Sequence, residues 1–550
     1  MGMFLKLFGE VRTDCGGSPI FDIHTAILLA VPSRHTSSSR GRPRDHAPTR
    51  RLYKRSFRVQ LDFAEIHPPL SSPSWLFWVF GLAQSSTVGH ACQAPALPKS
   101  ELQEHIADAD TYLCTLDPDD DPKNLPLWRK WAAVLTISSA SLCATCTSSM
   151  AAFTETGLVQ DLHTSHEVAI LSVSLYVIGL GLGPLFVGPL SELYGRNIIY
   201  RTSYVLFFAL TWPTAFPPNI ATYLVFRFIT GLCGAAFLSV AGGSVSDLFD
   251  NQNVATPMAV YTISPFIGPI VGPLIAGFIV QNTDWRWCYR TLLIWQFVQT
   301  CLLFLIVPET YVPVILKRKA QRLRKTDNPK WRAPIEQQSH NLARMILYSI
   351  YTPFRLLLLD RMALALDIWS ALLLGILYLA FQAFPIIFMD VHGFSVQETG
   401  LSFLGIGLGM FISLATQPFW NRLFREAARQ NGGHLLPETR LLMGQVGAIL
   451  APLGLFIMAF TTYKQVHWIG PIIGSIPFGS GTIYIYTAVF TYLVTAYRPI
   501  AASAMAANSA VRSSFAAGFP LFAGQMYHKL GTVGATALLA GLMTVMAPLP

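Results

Sequence analysis

Residues 264–277 of the chain read SPFIGPIVGPLIAG, a run inside a long apolar stretch that holds the pairs Gly268-Pro269 and Gly272-Pro273 four residues apart. In water such a helix would break, because each proline removes a backbone donor and clashes one turn back. In a membrane bundle, neighbouring helices can satisfy the freed backbone groups. The glycines, with Gly277 beyond them, also let another helix approach closely. The run therefore predicts a bent, closely packed membrane helix of the kind that a protein with two alternating shapes needs.

The composition is that of a membrane protein. Of the 550 residues, 52% are hydrophobic and 13% are charged, whereas soluble proteins carry about 25% charged residues. A helix that spans a membrane needs about 20 mostly apolar residues. We predict an all-α membrane protein, in contact with the lipid bilayer, that has 12 transmembrane helices. The twelve segments are residues 131–152, 167–190, 198–217, 221–244, 257–280, 289–308, 363–389, 399–420, 441–461, 467–493, 501–525 and 531–549.

Lysine and arginine are unevenly distributed among the loops. The net charge is +9, and most of it lies in the loops after segments 6 and 8, while the turns after segments 1, 3 and 7 hold no Lys or Arg. Because cytoplasmic loops carry the excess of positive charge, both termini and the even-numbered loops are predicted to be cytoplasmic. Arg286, Lys464 and Lys529 are isolated exceptions on the other side. This distribution indicates an orientation in the membrane and no nucleic-acid partner.

The order of the segments predicts four regions. Residues 1–127 are rich in Ser, Pro, Arg and His and are predicted to be a disordered cytoplasmic region. Residues 128–308 and 359–550 form two six-helix halves, and residues 309–358 form a basic cytoplasmic linker between them. A six-plus-six pattern with a charged linker is typical of transporters built from structural repeats.

The sequence contains no pattern typical of an enzyme or of a bound cofactor. There is no phosphate-binding loop, so ATP is not expected as the energy source. The eight cysteines are scattered. Cys143 and Cys146 share a helix face without a second pair to complete a metal site, so they are predicted to be buried thiols and no metal is expected.

The short loop between segments 2 and 3 contains Gly188, Glu192, Gly195 and Arg196. The glycines allow a tight turn, and the acid and the arginine can cap helix ends and pair across helices. Such pairs could latch the cytoplasmic side in one state. The alternative is a generic short turn that carries positive charge on the inside.

Arg227 lies within segment 4. A charge at membrane depth costs at least about 2.5 kcal/mol and normally faces the interior of a bundle. Arg227 is therefore a candidate for the pathway of substrate or protons. The alternative is an arginine that extends to the membrane interface, since it is only one or two turns from the predicted start of the helix.

The second half holds further candidates for a substrate or proton pathway. Arg512 lies inside segment 11 near Asn508, and the two are predicted to form a polar pair that faces a cavity. The alternative is an arginine tied to carbonyl groups on the cytoplasmic side. Tyr378 and Phe384, in segment 7, could line a pocket for flat or cationic substrates, or they could pack against other helices or lipid.

Several motifs resemble those of one transporter superfamily. The run Gly188–Asn197 is similar to the loop motif G-x-x-x-D-R-x-G-R-R of the major facilitator superfamily, with Glu192 in place of Asp. Leu193 and Asn197 stand where arginines are common, so the charge latch is expected to be weaker. The double Gly-Pro run resembles the antiporter motif of the same superfamily.

Other stretches resemble the fungal drug/proton antiporters of that superfamily, the twelve-span branch that includes multidrug and polyamine exporters. They are the run Gly231–Asp247, the motif PETYVP at residues 308–313, and several stretches of the second half up to Arg512. The resemblance runs from about residue 117 to 550. It implies the major facilitator fold and a monomer in the plasma membrane. It also implies that small hydrophobic or cationic compounds are exported by alternating access in exchange for protons. Arg227 would then help to couple the movement of the substrate to that of the proton.

Two other functions stay open at this point. A facilitator or symporter for a nutrient could use the same fold, and the test that would separate it is whether transport survives collapse of the proton gradient. A non-transporting member, degenerate or receptor-like, is also consistent with the altered loop motif.

Overall fold

The computed structural model describes residues 112–118, 120–250, 253–326, 330–337, 342–431, 436–497 and 500–548. The first half contains α1 (Leu127–Phe153), α2 (Glu155–Leu162), α3 (His166–Tyr194), α4 (Arg196–Ala215), α5 (Ile220–Gly234), α6 (Ala236–Ser239), α7 (Ala241–Leu248), α8 (Ala255–Asn282) and α9 (Arg286–Ile306). The linker contains α10 (Val312–Thr326), α11 (Pro334–Gln337) and α12 (Leu342–Leu359). The second half contains α13 (Arg361–Phe384), α14 (Val396–Ser402), α15 (Leu404–Ala415), α16 (Gln417–Gln430), α17 (Leu441–Thr461), α18 (Ile469–Ala496) and α19 (Ala501–Met546).

The helices account for the predicted membrane segments. Within the described part of the chain, ten helical stretches are long and apolar enough to cross a membrane. Helix α4 occupies the third predicted segment and has 20 residues. Helix α19 is interrupted at Gly531, whose φ of 71° is not helical, so it holds the last two predicted segments. The all-α membrane architecture is confirmed, and the helices are consistent with the predicted count of twelve.

Helix α8 stays helical through three internal prolines, at positions 265, 269 and 273. A side-chain hydroxyl of the helix itself replaces one of the donors that the prolines remove. The Ser264 hydroxyl donates to the carbonyl of Tyr261 (2.8 Å), the group to which Pro265 has no N–H to donate. The Ser149 hydroxyl on α1 donates to the carbonyl of Gly268 (3.1 Å), and this bond ties α8 to α1. Side-chain donors therefore satisfy one freed carbonyl of α8 and join the helix to its neighbour.

The two halves touch at the end of the bundle that carries α2 and the connection from α13 to α14, which we call the far end. The backbone N–H of Val396 donates to the Gln281 side chain (3.1 Å). The hydroxyls of Ser148 and Tyr378 lie 2.8 Å apart. These contacts join α1 to α13 and α8 to α14, so the halves are closed on each other there.

The linker is folded at the opposite end, which we call the near end. Strand β1 (Tyr112–Leu113) pairs in parallel with β2 (Trp331–Arg332), and Lys319 pairs with Asp117 (2.6 Å). The region predicted to be disordered reaches residue 127, and the structure describes its last part, from residue 112. The order comes from contacts with the linker, which lies far away in sequence. Residues 1–111 lie outside the described residues.

Candidate functional site

Arg227 is fully buried inside the first half, with 0% of its surface exposed. Its Nε donates to the carbonyl of Ser172 (3.0 Å) and its Nη1 to the carbonyl of Thr147 (3.1 Å). Nη2 has no hydrogen-bond partner in the described residues. No carboxylate of the described residues lies within 4.0 Å of the guanidinium. The side chain thus joins α5 to α1 and α3 and does not reach a membrane interface.

Tyrosines complete the surroundings of Arg227. The guanidinium carbon lies 4.4 Å from the ring centre of Tyr176 and 5.9 Å from that of Tyr289. The Tyr176 hydroxyl donates to the carbonyl of Ala144 (2.7 Å), and the Tyr289 hydroxyl is hydrogen-bonded to that of Tyr223. Aromatic faces and carbonyl oxygens carry partial negative charge. They stabilise the arginine without giving it a full counter-ion.

A second buried polar cluster lies in the second half. The Asn508 amide nitrogen donates to Asp367 Oδ1 and to Ser370 Oγ, both at 2.8 Å. All three side chains are fully buried. Asp367 Oδ2 and Asn508 Oδ1 have no partner among the described residues, and no cation lies within 4.0 Å of the carboxylate there. The cluster is a membrane-buried carboxyl group with one oxygen free.

The predicted pair of Asn508 with Arg512 does not form. The Arg512 guanidinium carbon lies 5.4 Å from the ring centre of Tyr486 and 4.9 Å from that of Phe490. Its Nε is buried and has no partner among the described residues. The two residues lie four positions apart on α19, but the amide is taken by Asp367, which α13 brings beside it. Sequence spacing alone could not indicate this partner.

The two predicted pocket aromatics are buried where the halves meet. The Tyr378 hydroxyl contacts Ser148 of the first half, as described above, and 3% of the residue is exposed. Phe384 packs with its ring centre 4.4 Å from that of Phe403, and Phe403 lies 6.2 Å from Phe153 of the first half. In this closed arrangement both side chains are packing contacts.

The loop motif forms a tight turn between α3 and α4. Gly195 has a φ of 99°, a conformation that favours glycine. Arg196 pairs with Asp247 on α7, and its backbone N–H donates to Glu309 Oε1 (2.9 Å). The pairing across helices is therefore present. Its acid is Asp247 and not Glu192, which is exposed.

The glycines of the motifs differ in what they touch. A Cβ at Gly268 would lie 1.9 Å from Thr145 Oγ1, and one at Gly272 would lie 1.9 Å from Ser149 Oγ, so both glycines press on α1 of the same half. A Cβ at Gly277 would lie 3.0 Å from the carbonyl oxygen of Val396 in the second half. No atom lies within 4 Å of a Cβ at Gly188.

Several residues with a part in these contacts were not among the predicted site residues. Asp247 and Glu309 stand inside the quoted motifs, at the end of the segment 4 run and in PETYVP, so their place in a motif was a usable signal. Asp367 was visible as an acid inside segment 7. Glu155 and Gln382 form a hydrogen bond between the halves, and nothing in their local sequence indicates it. In the described residues, no group of three or more His, Cys, Asp or Glu could hold a metal ion.

Comparisons with known proteins agree with this architecture. The family model described as Major Facilitator Superfamily matches residues 136–520. The chain belongs to the major facilitator superfamily. The efflux pump atB of Aspergillus terreus is 50% identical over 380 residues, which cover 68% of this chain and 79% of that protein. The probable drug/proton antiporter YHK8 of Saccharomyces cerevisiae is 42% identical over 439 residues, which cover 79% and 85%.

A solved structure supports the fold. A partially occluded inward-open structure of the xylose transporter XylE from E. coli matches with a TM-score of 0.54 and 16% identity, over 76% of this chain and 96% of that one. At this identity the match concerns the fold alone. The resemblance to fungal drug/proton antiporters is confirmed by the relatives, and the superfamily consists of multi-pass membrane transporters, so the chain is a transporter and not an enzyme.

Proposed function

We propose that this transporter exports small hydrophobic or cationic compounds in exchange for protons by alternating access. The relatives named as an efflux pump and as a probable drug/proton antiporter support export and coupling to protons. An inward proton flux would supply about 2.3 kcal/mol per charge for each 100 mV of membrane potential.

The observation that carries the proposal is a pair of buried ionisable residues, one in each half, that have no salt bridge among the described residues. Arg227 lies in the first half and Asp367 in the second. Charged residues inside a membrane protein are costly and generally serve ion or substrate pathways. Asp367 has a free carboxylate oxygen, so it can hold a proton or a cationic group. Arg227 keeps a fixed positive charge in the other half.

An aromatic cluster between the halves supports the proposed substrate class. Phe266 of the first half lies 4.6 Å, between ring centres, from Tyr486 of the second half. Phe490 lies 5.6 Å from Tyr486, and Arg512 stacks on both of these rings. When the halves separate, these aromatic faces become available to flat apolar molecules, and aromatic faces also attract organic cations.

The proposal includes an orientation and a location. The transporter acts as a monomer in the plasma membrane, with both termini and the linker 309–358 in the cytoplasm. The two halves, 128–308 and 359–550, move as the alternating units. The basic linker helix α10 supports this orientation, because Lys and Arg accumulate in cytoplasmic loops.

A vesicle assay tests the function. Inside-out vesicles that contain the transporter are given a panel of fluorescent organic cations and apolar drugs under an imposed pH gradient, acidic in the lumen. We expect uptake into the lumen that stops when a protonophore collapses the gradient. Uptake that continues after collapse would identify a facilitator. Absence of transport for the whole panel, with the protein folded, would contradict export of these compounds and favour a nutrient transporter.

A further inference from the structure

Glu155 is a buried acid at the far end of the bundle. It is the first residue of α2, two positions after the last residue of α1, and only 3% of it is exposed. Gln382 on α13 donates from its amide nitrogen to both carboxylate oxygens, at 2.9 and 3.0 Å. This hydrogen bond joins the first half to the second where the halves are closed.

Few charged groups of the described chain can compensate the Glu155 carboxylate. His166 on α3 approaches to 4.0 Å, but 61% of its side chain is exposed. On α9, Arg286 pairs with Asp161, and Arg290 stacks on Phe216 and Trp287. On α13 the contacting residue is the neutral Gln382. An ionised Glu155 would thus be buried with one partial counter-charge at its edge.

Burial therefore destabilises the ionised form of Glu155 relative to its neutral form. Desolvation raises the pKa of Glu155 from its ordinary 4.5 to about 8, although the hydrogen bond from Gln382 acts in the opposite direction. A neutral Glu155 can also donate its O–H to an amide oxygen, so the pair with Gln382 can survive protonation. When the halves part, water reaches the carboxyl group and its pKa returns towards the ordinary value.

We propose that Glu155 is a proton-binding site that locks the far end: its carboxylate takes a proton from the far-side solution as the halves close, and returns it to that solution when they open. The lock rests on the alternating access of the proposed function, but not on proton-driven export. No other co-reactant is needed, since one O–H bond forms on closing and the same bond breaks on opening.

The sign of the pH dependence follows from the raised pKa. The closed form holds more protons, so acid favours closure of the far end. The stabilisation of the closed form is complete below about pH 4.5 and is lost as the pH rises through about 8. Between these values the ratio of closed to open molecules changes by up to about tenfold for each pH unit.

A distance measurement tests the lock on the full chain. Spin labels are placed at Gln160 on α2 and at Lys464 between α17 and α18, both exposed, in a cysteine-free variant held in lipid nanodiscs. Pulsed electron paramagnetic resonance then gives the distance between the halves from pH 4.5 to 9. We expect the long-distance population to grow with pH. A distance distribution that does not change with pH would overturn the proposal.

Variants assign the effect to one residue. Glu155→Gln keeps the shape and stays neutral, so we expect a closed far end at every pH. Glu167→Gln removes an exposed acid of α3 at the same end and should respond like the unmodified protein. His166→Asn should also respond. A pH response that persists in Glu155→Gln, or that disappears in either control, would contradict the lock.

A further variant covers the case in which Glu155→Gln fails to fold. Gln382→Leu removes a hydrogen bond that the closed form makes with either protonation state of Glu155, so the far end should open at lower pH and keep its pH response. A pH response that disappears, or a midpoint that moves to higher pH, would contradict the assignment. Failure of proton-driven uptake in the vesicle assay, with the distance response intact, would overturn the proposed function and leave the lock standing.

Discussion

Arg227 illustrates how its neighbours determine what a single residue can do. The sequence allowed either a buried arginine or one that reaches the membrane interface. The structure surrounds it with two carbonyl oxygens and the faces of two tyrosine rings. The guanidinium carries a positive charge, and the partial charges around it compensate that charge only in part. A charged substrate, or an ionised acid in the other half, would interact strongly with that charge in this low-dielectric setting.

Arg227→Ala is expected to abolish gradient-driven export while the protein stays in the membrane. Arg227→Lys should restore it only in part, because lysine lacks the planar fork that reaches two carbonyls. The measurement is uptake by inside-out vesicles, normalised to the amount of transporter. Arg201→Ala is the control, since Arg201 also donates to a carbonyl, that of Phe304 (3.1 Å), but is less buried. Normal transport by Arg227→Ala would reassign the residue to a structural role.

Asp367→Asn is expected to uncouple transport from the proton gradient. The amide keeps the size of the side chain and can still accept from Asn508, but it cannot take up a proton. We expect loss of accumulation against a concentration gradient, at least tenfold, with exchange down a gradient retained. Asp390→Asn removes an exposed acid of the same span and serves as the control. If accumulation by the Asp367→Asn variant equals that of the unmodified protein, another group carries the proton.

At the scale of the element, α8 has two different interfaces. In its middle part, Gly268 and Gly272 contact α1 of the same half. In its last turns, Gly277 contacts α14 of the other half. The three glycines look alike in the sequence. They are expected to act differently, because only the last contact has to break when the far end opens.

Leucine at these positions should separate folding from movement. Gly268→Leu forces a side chain against fixed atoms of α1 and should lower the yield of folded transporter. Gly277→Leu overpacks the contact between the halves, which typically costs about 1–3 kcal/mol. That cost favours an open far end by roughly tenfold or more, with normal expression. Gly541→Leu is the control, because no atom lies within 4 Å of a Cβ there.

Size-exclusion yield and the spin-label distance described above distinguish the two effects. If Gly277→Leu leaves the distance distribution unchanged, the α8–α14 contact does not control the far end. If Gly268→Leu folds as well as the control, the tight contact with α1 has room to relax.

At the scale of the whole molecule, the orientation can be tested directly. A single cysteine at Thr326, at the exposed end of α10, should react with an impermeant maleimide only after the cells are permeabilised. A single cysteine at Lys464, on the predicted outer side, should react in intact cells. Labelling with the opposite pattern would invert the proposed topology and place the Glu155 lock on the cytoplasmic side.

The architecture was predictable from the sequence, because span length, hydropathy and loop charge are properties of consecutive residues. The all-α membrane class and the family were confirmed for that reason. Gly268 and Gly272 of the Gly-Pro run lie in close contact with α1, which glycine permits because it has no side chain. The sequence did not indicate that residues 112–113 pair with the linker, because strand pairing depends on a partner far along the chain.

The candidate site was only partly predictable. The sequence by itself determined that Arg227, Asp367 and Asn508 lie in apolar segments, where polar groups need partners. Only the tertiary structure decided that Asn508 binds Asp367 and not Arg512, because α13 and α19 must pack before the two meet. The same applies to Glu155 and Gln382, which become partners only when the two halves close, since each belongs to a different half.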